Sequence, residues 1–136
     1  MQFSVSAILL YSIAVAALLI YLPFLVVGYA RAKVGYDMAA PRAMFDKLPA
    51  YAQRATWAHQ NSFETFMVFA SAALMAYVTG VKSEWAGIAA LAFCLARLFY
   101  SIFYIVNFPI GRSLMFGIGS LSTLTLFVLS LLSVNS

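Results

Sequence analysis

Charged side chains are scarce in this sequence: only 9% of the 136 residues are Asp, Glu, Lys or Arg, whereas 65% are hydrophobic. A soluble domain contains on average about 25% charged and about 45–50% apolar residues, because water must solvate its surface. This chain has too little charge to cover such a surface. The composition therefore excludes a water-soluble globular domain and predicts a protein that is embedded in a membrane over its whole length.

Cysteine and histidine are nearly absent, with one residue of each, Cys94 and His59. A single cysteine cannot form a disulfide within the chain, and the apolar surroundings of Cys94 indicate a packing role. His59 has no second histidine, cysteine or carboxylate at the spacing of metal ligands, so no metal site is expected. The sequence also contains no phosphate-binding loop, dinucleotide fingerprint or nucleophile elbow.

Long apolar runs are abundant. A helix needs about 20 apolar residues to cross about 30 Å of hydrocarbon, and four runs reach that length. They are apolar on all sides, whereas the strands of a membrane β-barrel alternate apolar and polar residues. We therefore predict an all-α, integral membrane four-helix bundle that forms a single domain over residues 1–136. The predicted spans cover residues 4–27, 63–81, 85–106 and 114–134.

Positive charge is concentrated in two of the three connections between these spans. Loop 28–54 contains five Lys or Arg residues and loop 107–113 contains Arg112, whereas only Lys82 lies on the other side. Because Lys and Arg are enriched in cytoplasmic loops, loops 28–54 and 107–113 are predicted to be cytoplasmic, with both termini outside. This topology accounts for the net charge of +4, so no binding of nucleic acid is expected.

Two ionisable residues, Glu64 and Arg97, lie well inside apolar sequence. A charge at that depth is costly and suggests a function, and the opposite signs predict an ion pair. Such a pair can equally hold two helices in register and do nothing more. Tyr100 and Tyr104 share a helical face with Arg97, although tyrosine is also enriched at membrane interfaces. Arginines beside Glu64 suit a small zwitterionic or anionic ligand, because arginine binds carboxylates in a bidentate way and a cation favours a thiolate.

Three stretches of the sequence resemble one membrane family. Residues 58–65, AHQNSFET, contain an asparagine, two intervening residues and a glutamate, which is the pattern that begins helix two in the MAPEG family (membrane-associated proteins in eicosanoid and glutathione metabolism). Residues 96–100, ARLFY, followed by Tyr104, Pro109 and Arg112, are similar to a second family motif. Residues 35–43 resemble the first loop of the bacterial members, and Arg31 stands where the family has an arginine.

The resemblance implies a homotrimer that holds glutathione, as a co-substrate, between neighbouring subunits near the cytoplasmic face. It also implies a multi-pass protein of a bacterial inner membrane, whose lipophilic co-substrate arrives through the bilayer. In this view Arg112 is the catalytic residue, because it stabilises the thiolate, and Arg97 pairs with Glu64. The residues that hold glutathione are Arg31, Asn61, Glu64, Arg97, Tyr100 and Tyr104.

Two functions follow from the resemblance. The first is a membrane-bound glutathione-dependent transferase or peroxidase that acts on lipophilic electrophiles. The alternative is a non-catalytic protein of the same fold that binds a lipid or lipophilic ligand. It stays open because Trp57 stands where members that use glutathione generally carry an arginine, and Gln60 where some carry another. Small multidrug transporters resemble one another in a glutamate within the first helix. The first predicted span of this chain, residues 4–27, has no charge, so it does not match that class.

Overall fold

The structure is a computed structural model, and it describes residues 3–136. Over that range the chain is helical and contains no strand. Helix α1 spans Val5–Val34, α2 spans Ala50–Val78, α3 spans Glu84–Ile105 and α4 spans Pro109–Val134, and a 3₁₀ helix at Pro41–Lys47 lies between α1 and α2. Within the described residues, α1, α3 and α4 are long and apolar enough to cross a membrane. The predictions of an all-α fold and of a membrane protein are therefore confirmed.

Helices α1 and α2 extend beyond the apolar runs, and much of the predicted loop 28–54 is helical. Nothing between residues 28 and 34 breaks a helix, so α1 continues until Gly35, whose φ of 102° lies in the left-handed region. Helix α2 begins directly after Pro49. At 1.5 Å per residue each helix is about 45 Å long, which exceeds the roughly 30 Å of hydrocarbon. The connection between the two helices is therefore only residues 35–49, and Arg31 lies on a helix.

The other two connections are tight turns. Gly80, with φ of 69°, allows the chain to reverse after α2, and the Ser83 hydroxyl accepts the Trp85 N–H at 3.3 Å to cap the start of α3. Asn107 has φ of 62°, a conformation that asparagine tolerates better than most residues. Pro109 then opens α4, where its missing N–H costs nothing. Both turns bring consecutive helices side by side in opposite directions.

The core is built mainly from alanine, with two phenylalanines, Phe69 and Phe93, between α2 and α3. Ala72, Ala73 and Ala76 of α2 are fully buried, and small side chains of this kind let helix backbones approach closely. The rings of Phe69 on α2 and Phe93 on α3 stack with 3.8 Å between their centroids. This packing sets the rotation of α2 relative to α3, and it thereby decides which of their polar residues can meet.

Two side-chain hydrogen bonds show which ends of the helices lie together. Arg54, near the start of α2, donates through Nε and Nη2 to the carbonyl oxygen of Ile105, at the end of α3, at 3.0 and 2.9 Å. At the opposite end, Ser133 donates to the Thr79 carbonyl at 2.9 Å. Connections 35–49 and 106–108 therefore lie at the same end of the molecule, which we call the loop end.

Candidate functional site

Two adjoining cavities open among α2, α3 and α4 toward the loop end. The first, which we call the Arg97 cavity, has a volume of about 330 Å³, and the second, the Arg112 cavity, about 310 Å³. Asn61 and Phe116 line both, so the two cavities are neighbours. Between them they bring together all but one of the site residues named from the sequence: Asn61, Glu64, Arg97, Tyr100, Tyr104 and Arg112.

Two arginines in these cavities lie against tyrosine rings. The guanidinium carbon of Arg97 is 4.0 Å from the ring centroid of Tyr100, and that of Arg112 is 4.5 Å from the ring centroid of Tyr104. Both distances are within the roughly 6 Å over which an aromatic face attracts a cation. The two rings are themselves 5.7 Å apart and nearly perpendicular. Both guanidiniums thus lie against tyrosine rings that project from one face of α3.

Within residues 3–136 of a single chain, Glu64 and Arg97 do not form the predicted ion pair. That expectation was wrong. Arg97 is only 4% exposed, and its Nη2 donates instead to the Ser62 hydroxyl at 3.2 Å. Ser62 precedes Glu64 by two residues, which is about 200° around a helix. The Glu64 side chain is therefore exposed, and it borders the Arg97 cavity without reaching the guanidinium.

Several buried polar atoms of the described residues have no hydrogen-bond partner. They include Nε of Arg97, Oδ1 of Asn61 and Nε of Arg31, together with the hydroxyls of Ser12 and Ser101. Buried polar groups in proteins are normally paired, since an unpaired one costs free energy. Three of these atoms belong to residues that were predicted from the sequence to bind a ligand: Arg31, Asn61 and Arg97. They leave two donors and one acceptor that a bound ligand can satisfy.

Arg31 is not brought to the other site residues within one chain. It lines a separate cavity of about 570 Å³, bordered by α1, the 3₁₀ helix and α2, which we call the Arg31 cavity. Tyr36, Arg42 and Gln60 also line this cavity. No residue is shared between the Arg31 cavity and the other two.

His59 also lines the Arg31 cavity, although no binding role was predicted for it from the sequence. Its Nδ1 is 2.7 Å from the carbonyl oxygen of Ile20. A carbonyl can only accept, so Nδ1 carries the proton and Nε2 remains an acceptor in the neutral ring. Phe24 and Phe63 pack on the ring at 5.0 and 5.1 Å. Only contact across α1 and α2 places His59 near Arg31, and no spacing along the chain indicates it.

Together these observations define a class: a membrane-embedded helical protein that carries a cationic, hydrogen-bonding site beside an apolar wall. The model of the MAPEG family matches residues 8–132. Because the match covers nearly the whole chain, this protein belongs to the MAPEG family, and the resemblance seen in the sequence is confirmed. Comparisons with curated proteins and with solved structures find no match. The family contains glutathione-dependent transferases and peroxidases as well as other members.

Proposed function

We propose that this protein is a membrane-bound glutathione-dependent transferase or peroxidase that acts on lipophilic electrophiles. The observation that carries the proposal is the grouping of Arg97, Arg112 and Glu64 around two cavities that share Asn61. Glutathione has two carboxylates, one ammonium group and a thiol. Two guanidiniums and one carboxylate therefore match the charges of this ligand.

Each residue has a role that its chemistry supports. A guanidinium binds a carboxylate through two parallel hydrogen bonds, and Arg97 has an unpaired Nε. The unpaired Oδ1 of Asn61 accepts an N–H of the peptide, and Glu64 accepts the ammonium group. Tyr100 and Tyr104 orient the two arginines.

Arg112 is the residue that we assign to the chemistry. It lies in the first turn of α4, where unpaired backbone N–H groups add positive potential to that of its own charge. Both favour a thiolate, which is the form of the thiol that attacks an electrophile. In conjugation the thiol proton passes to water, the sulfur forms a bond to carbon, and the leaving group departs with its electron pair.

The separate position of Arg31 supports an assembly of subunits. The Arg31 cavity and the Arg112 cavity of the same chain share no residue, so the structure of one chain does not join Arg31 to the Arg112 cavity in a single site. One ligand can contact both if the Arg31 cavity of one subunit faces the Arg112 cavity of the next. We propose that three such contacts close a homotrimer, as membership of the family implies.

We further propose that α2 crosses the bilayer as the fourth span of a four-helix bundle. Its first half contains Arg54, Asn61 and Glu64, which border the site or the end of α3 and need not meet lipid. Its second half is apolar. The loop end then lies on the cytoplasmic side of a bacterial inner membrane.

The alternative function is binding of a lipid or lipophilic ligand without catalysis. It is favoured by the apolar lining that Val68, Phe93 and Phe116 give to the Arg97 cavity. It is also favoured by Trp57, which places an indole rather than a cation beside Tyr104.

Calorimetric titration of the detergent-purified full chain with glutathione tests the proposal. We expect saturable binding, and a loss of about tenfold in affinity for Asn61→Ala, because the N–H of the bound peptide then has no acceptor. Ser71→Ala is the matched control, since Ser71 is exposed on the same helix outside all three cavities. Absence of binding to the parent protein, with saturable binding of a lipophile, would establish the alternative.

A further inference from the structure

Three aromatic rings lead from the 3₁₀ helix to Arg112. Phe45 packs on Trp57 with 5.5 Å between ring centroids, Trp57 packs on Tyr104 at 6.4 Å, and the Tyr104 ring lies 4.5 Å from the Arg112 guanidinium. All the ring separations lie within the range of about 4.5–7 Å in which aromatic side chains attract one another. We call Phe45, Trp57 and Tyr104 the aromatic column.

The column is held at its far end by α2. The Phe45 carbonyl accepts the Gln53 side-chain amide at 3.2 Å and the Leu48 N–H at 3.1 Å. The Leu48 bond closes the 3₁₀ helix, and the Gln53 bond fastens that helix to the first turn of α2. Trp57 also projects from α2. Phe45 and Trp57 are therefore both attached to α2 and together support the Tyr104 ring.

Arg112 depends on that ring for its position. Within residues 3–136 its side chain makes no hydrogen bond or ion pair, and its guanidinium lies on the face of the Tyr104 ring. Since this attraction depends on the position of the ring, a displaced ring no longer orients the guanidinium. Tyr104 in turn has Tyr100 on one side and Trp57 on another. Removal of the indole leaves Tyr104 unsupported on the side of the 3₁₀ helix.

We propose that Trp57 is a positioning residue that holds Arg112 in place through Tyr104. The inference rests on the proposed function, since it concerns the arginine that stabilises the thiolate. It gives Trp57 a role that its lack of charge would not suggest. Trp57 is 43% exposed and lines none of the three cavities, so any effect it has on Arg112 passes through Tyr104.

Kinetics of Trp57→Ala and Trp57→Phe in the full chain test this role, with glutathione and 1-chloro-2,4-dinitrobenzene as substrates. In this reaction the sulfur replaces chloride. We expect Trp57→Ala to lower turnover by about tenfold with little change in the KM of the aromatic substrate, as loss of a transition-state interaction does. The midpoint of the pH–rate profile should move to higher pH, because a displaced Arg112 stabilises the thiolate less. Trp57→Phe retains a ring and should restore most of the rate.

Trp85→Phe is the matched control, because Trp85 lies at the start of α3, at the opposite end of the molecule. It also leaves Trp57 as the single tryptophan. In that background, Tyr104→Leu and Arg112→Ala should shift the emission of Trp57. Unchanged emission in both variants would show that the column does not exist, whether or not glutathione binds.

The two proposals fail in different ways. If the parent protein neither binds nor uses glutathione, the proposed function is wrong and the positioning role of Trp57 in it is wrong as well. If the parent is active and Trp57→Ala keeps the parental turnover and pH profile, only the inference about Trp57 is overturned.

Discussion

At the scale of single residues, the proposed chemistry is assigned to Arg112, which contacts the Tyr104 ring and lines a cavity with Asn61. We predict that Arg112→Ala lowers turnover by about tenfold or more while glutathione affinity changes less, because the lost interaction is made mainly in the transition state. The thiolate absorbance of the bound complex should also disappear. Arg112→Lys should recover part of the rate, since the charge remains and the planar geometry is lost. Steady-state kinetics and calorimetry on the same preparations measure the two effects.

Unchanged turnover in Arg112→Ala would remove this residue from the mechanism. It would instead identify Arg112 as an arginine that sets membrane topology and meets lipid phosphate. Lys33→Ala is a suitable control, because it removes a cation from the last turn of α1 without touching any of the three cavities.

At the scale of helices, the start of α4 depends on Gly111. A Cβ at this position would lie 2.5 Å from two ring carbons of Phe108 and 2.8 Å from Phe103. Gly111→Ala must therefore displace one of these rings or the first turn of α4. We predict a loss of about 1–3 kcal/mol in stability, the usual cost of overpacking, with a fall in turnover because Arg112 is the next residue. Thermal unfolding in detergent measures the first effect.

Gly117→Ala is the control for this prediction. Gly117 lies on the same helix, and a Cβ added there would meet nothing within 4 Å. It should be neutral or stabilising, because alanine favours a helix over glycine by about 0.8–1 kcal/mol. Equal unfolding temperatures for the two variants would show that the close contact at Gly111 does not constrain α4.

At the scale of the whole molecule, both short connections at the loop end should lie in the cytoplasm. Lys47 is exposed on the 3₁₀ helix and Lys82 is exposed on the turn at the opposite end. In a Cys94→Ala background, a membrane-impermeant maleimide added to intact cells should label Lys82→Cys and leave Lys47→Cys unmodified. Permeabilised cells, in which both should react, provide the control, and labelling of Lys47→Cys alone in intact cells would reverse the orientation.

The site was predictable in part. The polar residues of apolar runs identified Asn61, Glu64 and Arg97, because hydrocarbon penalises such groups and a functional reason is expected. The helical face shared with Arg97 added Tyr100 and Tyr104, the family resemblance made Arg112 the catalytic residue, and the structure places all six around two adjoining cavities. The absence of the Glu64–Arg97 ion pair was not predictable, because it depends on how far α2 is rotated about its axis. The Phe69–Phe93 stack and the buried alanines set that rotation, and it presents Ser62 to Arg97.

The sequence by itself determined the helical, membrane-embedded class, the family and the position of polar residues along each helix. These follow from composition and local order, since partition into lipid and helix formation depend on stretches of about 20 residues. Only the tertiary structure decided where the helices end, that Arg31 lines a separate cavity, and that Trp57 packs on Tyr104. These relations join residues that are distant in the chain. They depend on the rotation and spacing of packed helices, which no single stretch of sequence contains.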